Sequence, residues 1–153
     1  MKIKLILAEK KNRKNIAAIS SEATLQEAAV ALCDHGIGAI LVVEQNDPDK
    51  HIGIISERDI LKRCCTDNDF RKVKVADAMT RDLLVAKEDD DVEYVMRIMS
   101  QRHIRHLPVI DEKSKIVGVI SIRDIIKSML EEDKITIRHL SDYVSGSRMS
   151  EVY

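Results

Sequence analysis

The sequence predicts an α/β (α+β) fold built from two copies of one β-α-β-β-α unit. The main observation is that the segment 53–62 recurs as 118–127, with Gly, Ser, Arg, Asp and Lys in the same places. The patterns of apolar residues upstream of the two segments match as well. Such repetition is typical of a duplicated structural unit. Because polar positions repeat along with the apolar ones, the two motifs indicate a pair of equivalent sites.

The first helix of each unit is predicted from apolar residues that recur at i, i+3, i+4 and i+7, which places them on one helix face. These residues are Leu25, Ala28, Ala29 and Leu32 in the first unit and Val92, Val95, Met96 and Met99 in the second. Thr24 is expected to cap the first helix. The acidic run 88–91 begins the second helix, where the helix dipole favours negative charge. A metal site in this run is the less favoured alternative.

Strands are predicted on both sides of this helix. A short strand precedes it, and a longer one follows it at 37–43 and 104–110. A hairpin then leads to a further strand at 52–55 and 116–120, and a second helix follows each motif. Segments 4–9 and 75–79 are interpreted as short equivalent helices.

The expected organisation is repeat 1 at 1–65, a linker at 66–81, repeat 2 at 82–131 and a helical tail at 132–153. In the tail, a further helix is expected to run from Glu131 towards Val144 and to fray at 145–147.

Composition excludes several classes of protein. Lys and Arg number 25 and Asp and Glu 26, so there is no overall basic field for nucleic acid, and few aromatic residues are present for base stacking. No apolar run approaches the roughly 20 residues that span a bilayer, and the first residues are too charged for a signal peptide. A cytoplasmic location without a membrane or nucleic-acid partner is therefore expected. The three cysteines form no CxxC pair, so neither a disulfide nor a zinc site is predicted.

The chemistry of the repeated motif lies in its Ser-x-x-Asp spacing, Ser56 with Asp59 and Ser121 with Asp124. The hydroxyl lies at the strand exit and the carboxylate on the first turn of the next helix. A helix N-terminus suits an anion, and a carboxylate can accept two hydrogen bonds from a ribose diol. The motif therefore predicts a nucleoside phosphate site. The alternative is that each Ser is only a helix N-cap, which needs no ligand.

Basic residues near the motif are further candidates. Arg58 and Arg123 follow the two serines, and their fork-shaped guanidinium groups suit phosphate. Strand alternation places Arg105 and His106 on opposite faces, so only one of them is expected in a given cleft. A metal site from His103 and His106 is the less favoured reading. No nucleophile and base pair is present, so no catalytic residue is predicted.

At these motifs the sequence resembles the CBS domain family, named for cystathionine β-synthase, in the tandem arrangement called a Bateman module. The resemblance covers roughly residues 2 to 130, and segment 102–110 is similar to that of small stand-alone bacterial CBS-pair proteins. It implies two repeats packed sheet to sheet about a pseudo-twofold axis. It also implies two clefts that bind adenine nucleotides such as AMP, ADP, ATP or NAD(H), with S-adenosylmethionine as a variation.

Carried over by position, the resemblance implies roles for individual residues. Asp59 and Asp124 would hold ribose hydroxyls, and Ser56 and Ser121 the ribose or phosphate. The other implied ligand-binding residues are the phosphate candidates Arg58, Arg123, Arg105 and His106, and the adenine-pocket residues Ala18, Ile19, Ile37, Val85, Ala86 and Ile104. Ala18 and Val85 stand where the family often carries Thr, and each lost hydrogen bond costs about 0.5–1.5 kcal/mol.

The leading hypothesis is a non-enzymatic regulatory module that senses adenine nucleotides and signals by changing its conformation or its contact with an unidentified regulated protein. A homodimer is expected to form through apolar helix faces. The candidate residues are Ile60, Leu61, Ile125, Ile126 and Met129, of which the intramolecular core is expected to take some. One alternative is a constitutive dimerisation and docking module with empty clefts. Another, less favoured, is an enzyme that processes a nucleotide.

Overall fold

The computed structural model describes residues 1–10 and 16–148, with side chains up to His139. Two three-stranded sheets and six α-helices form two β-α-β-β-α units in this part of the chain. The fold class predicted from the sequence is therefore confirmed. Residues 11–15 of the expected first repeat and 149–153 of the expected tail lie outside the described residues.

The first unit follows a short helix, α1. In chain order the elements are α1 (Ile3–Glu9), β1 (Ala18–Ser20), α2 (Leu25–His35), β2 (Ala39–Glu44), β3 (Asp47–Ser56) and α3 (Glu57–Thr66). Strand β2 is central, parallel to β1 and antiparallel to β3. Thr24 caps α2 through reciprocal hydrogen bonds with Glu27, as the sequence predicts, and the left-handed Gly36 ends the helix.

The second unit repeats this order. After a 3₁₀ turn (Phe70–Lys72) come α4 (Val75–Ala78), β4 (Ala86–Lys87), α5 (Val92–Arg102), β5 (His106–Ile110), β6 (Ile116–Ser121) and α6 (Ile122–Arg148). Acidic residues before α5 pair with cations at the start of α1, Asp89 with Lys4 and Asp91 with Lys2, the residue before the helix. They therefore lie in solvated ion pairs at a helix start.

Helix α6 is continuous where the sequence predicts a separate helix from Glu131. It spans 27 residues and includes Gly146, so the expected fraying at 145–147 is wrong as well. The physical reason is that the polar run 131–134 contains no helix breaker and marks solvent exposure rather than a boundary.

Each of the short helices α1 and α4 packs into the core of the unit that it does not directly precede. Ile3, Ile6 and Leu7 of α1 belong to the hydrophobic core of the second unit. Val75 of α4 is fully buried in the core of the first. The backbone bridges of Lys2 with Asp91 and of Thr24 with Lys74 occupy matching positions. Each unit is thus completed by the segment that precedes the other.

The apolar residues after each motif divide between core and surface. Ile60 and Ile125 are 8% and 0% exposed, so they are the members of this set that the core takes, and they do not lie on a surface for a second copy. Leu61, Ile126 and Met129 are 63%, 47% and 40% exposed and stay on the surface. None of the described helices is both long and apolar enough to pass through a bilayer.

Candidate ligand-binding cleft

A cavity of about 900 Å³ lies between the two units beside the second motif. Its wall combines α1, the C-terminal half of α2, the residues before β1 and β2, the start of α3, and residues of β5, β6 and the first turn of α6. The volume falls in the range of small-molecule sites in proteins. The residues of this wall include Lys10, Ile37, Gly38, Glu57, Arg105, His106, Ser121, Arg123 and Asp124.

In both motifs the Ser and the Asp are hydrogen-bonded to each other at the start of a helix. Asp124 Oδ2 accepts hydrogen bonds from the backbone N and the Oγ of Ser121, both at 2.8 Å. Asp59 Oδ2 accepts the same two bonds from Ser56 at the same distances. This is the N-capping alternative, and it is present in both motifs. The motif alone therefore needs no ligand, and its position relative to the cavity distinguishes the two copies.

Asp124 differs from Asp59 by one contact. Lys10, which follows the last residue of α1, donates from Nζ to Asp124 Oδ2 and to the Val119 carbonyl oxygen, both at 2.8 Å. Burial raises the pKa of the Asp124 carboxyl, but the hydrogen bonds from Lys10 and Ser121 outweigh it and the net pKa is lowered. No cation pairs with Asp59 in the part of the chain that the structure describes. Asp124 is therefore an ionised, cation-paired carboxylate on the cavity wall.

Both Arg105 and His106 line the cavity, although alternation predicts only one of them in a given cleft. The reason is that β5 begins at His106, so Arg105 precedes the pleated strand. A guanidinium nitrogen of Arg105 lies 4.0 Å from the Glu57 carboxylate. The His106 ring lies against Gly38, where a Cβ would be 2.8 Å from the imidazole Cε1. Burial and the nearby Arg105 lower the pKa of His106 from its ordinary value, which favours the neutral ring.

The two motif arginines contact different parts of the molecule. Arg123 lies on the cavity wall. Arg58 donates to the His103 carbonyl oxygen at 3.2 Å, and so joins the first unit to the second. Among the described residues, the cavity wall carries three cationic side chains, Lys10, Arg105 and Arg123, and the two carboxylates of Glu57 and Asp124. This balance favours an anionic group on a bound molecule.

Six of the ligand-binding residues predicted from the sequence line this cavity: Ile37, Arg105, His106, Ser121, Arg123 and Asp124. Asp59 instead lines a separate depression of about 600 Å³ beside α3 and α4. Ala86 belongs to the core of the second unit and Ile19 packs against the core of the first, and neither is on the cavity wall. The remaining predicted residues outside the cavity wall are Ser56, Arg58, Ala18, Val85 and Ile104.

Sequence reasoning missed several residues of the cavity wall. The wall before β1 is formed by Ile16 and Ala17, one or two positions before the predicted Ala18. Gly38 was visible in the sequence as the residue that replaces Arg105 in the first unit. Lys10 gave no sequence signal, because 114 residues separate it from Asp124.

A family model described as "CBS domain" matches residues 12–65 and again residues 75–131. The chain belongs to the CBS domain family. The prediction of a tandem CBS pair from the repeated motif is therefore confirmed. Among curated relatives, a mitochondrial CBS domain-containing protein of Arabidopsis thaliana is 30% identical over 130 residues. That match covers 83% of this chain but only 63% of the relative, so the chain spans less than two thirds of its length.

Solved structures share the fold of this CBS pair. A putative signal-transduction protein with CBS domains from Burkholderia ambifaria is 28% identical with a TM-score of 0.79, over 86% of this chain and 95% of that one. The CBS domain pair of protein MJ0100 is 29% identical, with a TM-score of 0.72, over 86% of this chain and 98% of that one. The latter was crystallised in complex with 5′-methylthioadenosine and S-adenosyl-L-methionine.

Proposed function

We propose that this CBS pair is a non-catalytic regulatory module that binds one adenosine-type ligand, an adenine nucleotide such as AMP, ADP, ATP or NAD(H), in the cavity beside the second motif. The observation that carries the proposal is the position of the Asp124 carboxylate. It lies on the wall of a cavity of about 900 Å³ that also contains the arginines Arg105 and Arg123. A carboxylate suits a ribose diol, and two arginines suit a phosphate.

The walls of the cavity divide in a way that fits such a ligand. Apolar side chains of both units, among them Leu7, Ile37 and Val117, line the cavity. Polar groups converge at the start of α6, where the carboxylate and the cations lie. Pockets for cofactors are commonly mostly apolar with a few placed polar groups. The adenosine-type ligands of the MJ0100 pair, at 29% identity, support the same chemical class.

The test is isothermal titration of AMP, ADP, ATP, NADH and S-adenosylmethionine into the wild-type protein and the Asp124→Asn variant. Asp59→Asn is the matched control, because it changes the same capping arrangement but does not touch the cavity. We expect at least one ligand to bind and Asp124→Asn to weaken it about tenfold or more, since hydrogen bonds to charged groups are worth about 1.5–3 kcal/mol. Equal affinities of the two variants, or no binding by any ligand, would contradict the proposal.

A second candidate function is a constitutive docking module. It is favoured by apolar side chains exposed on the outer helices, among them Leu61 at 63% and Leu130 at 55%. Such surfaces commonly mark contacts with another protein. A melting temperature unchanged by every ligand, together with a stable dimer in light scattering, would support this function. The homodimer, the cytoplasmic location and the regulated partner remain predictions of the sequence.

A further inference from the structure

The contact between Lys10 and Asp124 occupies the atom that a ribose diol would use. Asp124 Oδ2 already accepts three hydrogen bonds, from Ser121 N, Ser121 Oγ and Lys10 Nζ, each at 2.8 Å. A carboxylate oxygen has two lone pairs, so this oxygen has no capacity for a further donor. A diol that binds both carboxylate oxygens must therefore displace one of the three.

Lys10 is the donor that can leave. The two Ser121 bonds are part of the N-terminal cap of α6 and are duplicated in the first motif. The Lys10 bond comes from outside the unit and has no equivalent at Asp59 among the described residues. The Lys10 and Asp124 side chains are 38% and 22% exposed, so water can replace the contact. An ion pair of this exposure is worth at most about 1 kcal/mol.

We propose that Lys10 is a specificity-determining residue, which makes the cavity prefer phosphorylated adenosine ligands over neutral ones; the proposal rests on the function proposed above. A neutral ligand displaces the ammonium from Asp124 and gives it no new partner. A phosphorylated ligand provides an anion in the same cavity, where Lys10 joins Arg105 and Arg123. The loss of one ion pair is then compensated by the formation of another.

Lys10 also couples ligand binding to α1. Lys10 directly follows this helix, and α1 carries Ile6 and Leu7 into the core of the second unit. The Leu7 side chain lies 3.1 Å from the position of a Cβ on Gly118, which lines the cavity. Displacement of Lys10 therefore acts on an element that is packed against the cavity wall.

The experiment compares AMP with adenosine, which has the same base and ribose but no phosphate. Titration calorimetry at one ionic strength gives both dissociation constants for the wild type, Lys10→Met and Lys4→Met. Lys4 is the matched control, because it lies on α1 and pairs with Asp89 away from the cavity. Lys10→Gln keeps a donor for Val119 and serves if the Met variant does not fold.

We expect Lys10→Met to bind adenosine about fivefold more tightly than wild type, the factor equivalent to about 1 kcal/mol, and AMP no more tightly than wild type. The preference for AMP over adenosine then falls about fivefold or more, while Lys4→Met keeps the wild-type preference. An unchanged preference in Lys10→Met, or weaker binding of adenosine, would overturn this inference and leave the proposed function intact. Absence of binding by both ligands to every protein would overturn both.

Discussion

Replacement of Gly53 or Gly118 by Ala provides a direct test of how the two units differ. A Cβ on Gly53 would lie 2.9 Å from the backbone oxygen of Thr80 and 2.6 Å from the Met79 sulfur. The methionine side chain can turn away, but Thr80 is fixed by two backbone hydrogen bonds with Ile54, at 2.9 and 3.0 Å. The added methyl group must therefore shift backbone or weaken this bridge.

A Cβ on Gly118 would meet only a side chain that can move. Its nearest atom is the Cδ2 of Leu7 at 3.1 Å, the end of a flexible side chain. We expect Gly53→Ala to lower the free energy of unfolding by about 1–3 kcal/mol, the usual cost of overpacking combined with a strained hydrogen bond. Gly118→Ala should cost less than about 1 kcal/mol, because Leu7 can adopt another rotamer.

Urea unfolding followed by circular dichroism measures both values. Gly118 lies on the cavity wall, so Gly118→Ala is also expected to weaken ligand binding, whereas the cavity wall does not include Gly53. Equal destabilisation by the two substitutions, or a larger loss for Gly118→Ala, would refute the assignment of a rigid contact to the first unit and a flexible one to the second.

Two further predictions concern single side chains. The folded-state pKa of His106 lies below 6.5, so the unfolded chain binds more protons and stability should fall as the pH drops below 6.5. His106→Gln should flatten this part of the stability curve measured by urea unfolding, and an identical curve would contradict the shift. Thr24→Ala should cost about 1 kcal/mol, since Thr24 forms a capping box. Asp91→Ala should cost less than half as much in the same assay, because Asp91 makes no capping bond; equal losses would contradict it.

The sequence predicts the parts of this molecule that depend on neighbouring residues. The capping by Thr24 and the reciprocal bonds of Ser56 and Ser121 involve residues three positions apart, so the spacing alone indicates them. The same holds for the repeated helices and strands, whose apolar periods are local.

The parts that the sequence does not predict depend on long-range packing. The packing of α1 against the second unit and of α4 against the first does not follow from the sequence, because the two segments share the same short amphipathic pattern. Prediction of the cavity wall requires knowing which residues of one unit face the motif of the other. Lys10 is the clearest case, because neither its type nor its spacing distinguishes it from the other lysines of the N-terminal region.

The duplicated motif predicts two sites, but we expect only one ligand per chain. At the first motif the carbonyl oxygen of Ile54 accepts from the backbone of Thr80, whereas at the second the matching oxygen of Val119 accepts from the side chain of Lys10. A backbone bridge is rigid and covers Gly53, while a side chain can move out of a cavity that is already open. Calorimetric titration should therefore give a stoichiometry near one ligand per chain. A value of two, abolished by Asp59→Asn and Asp124→Asn only in combination, would show that the first motif also binds.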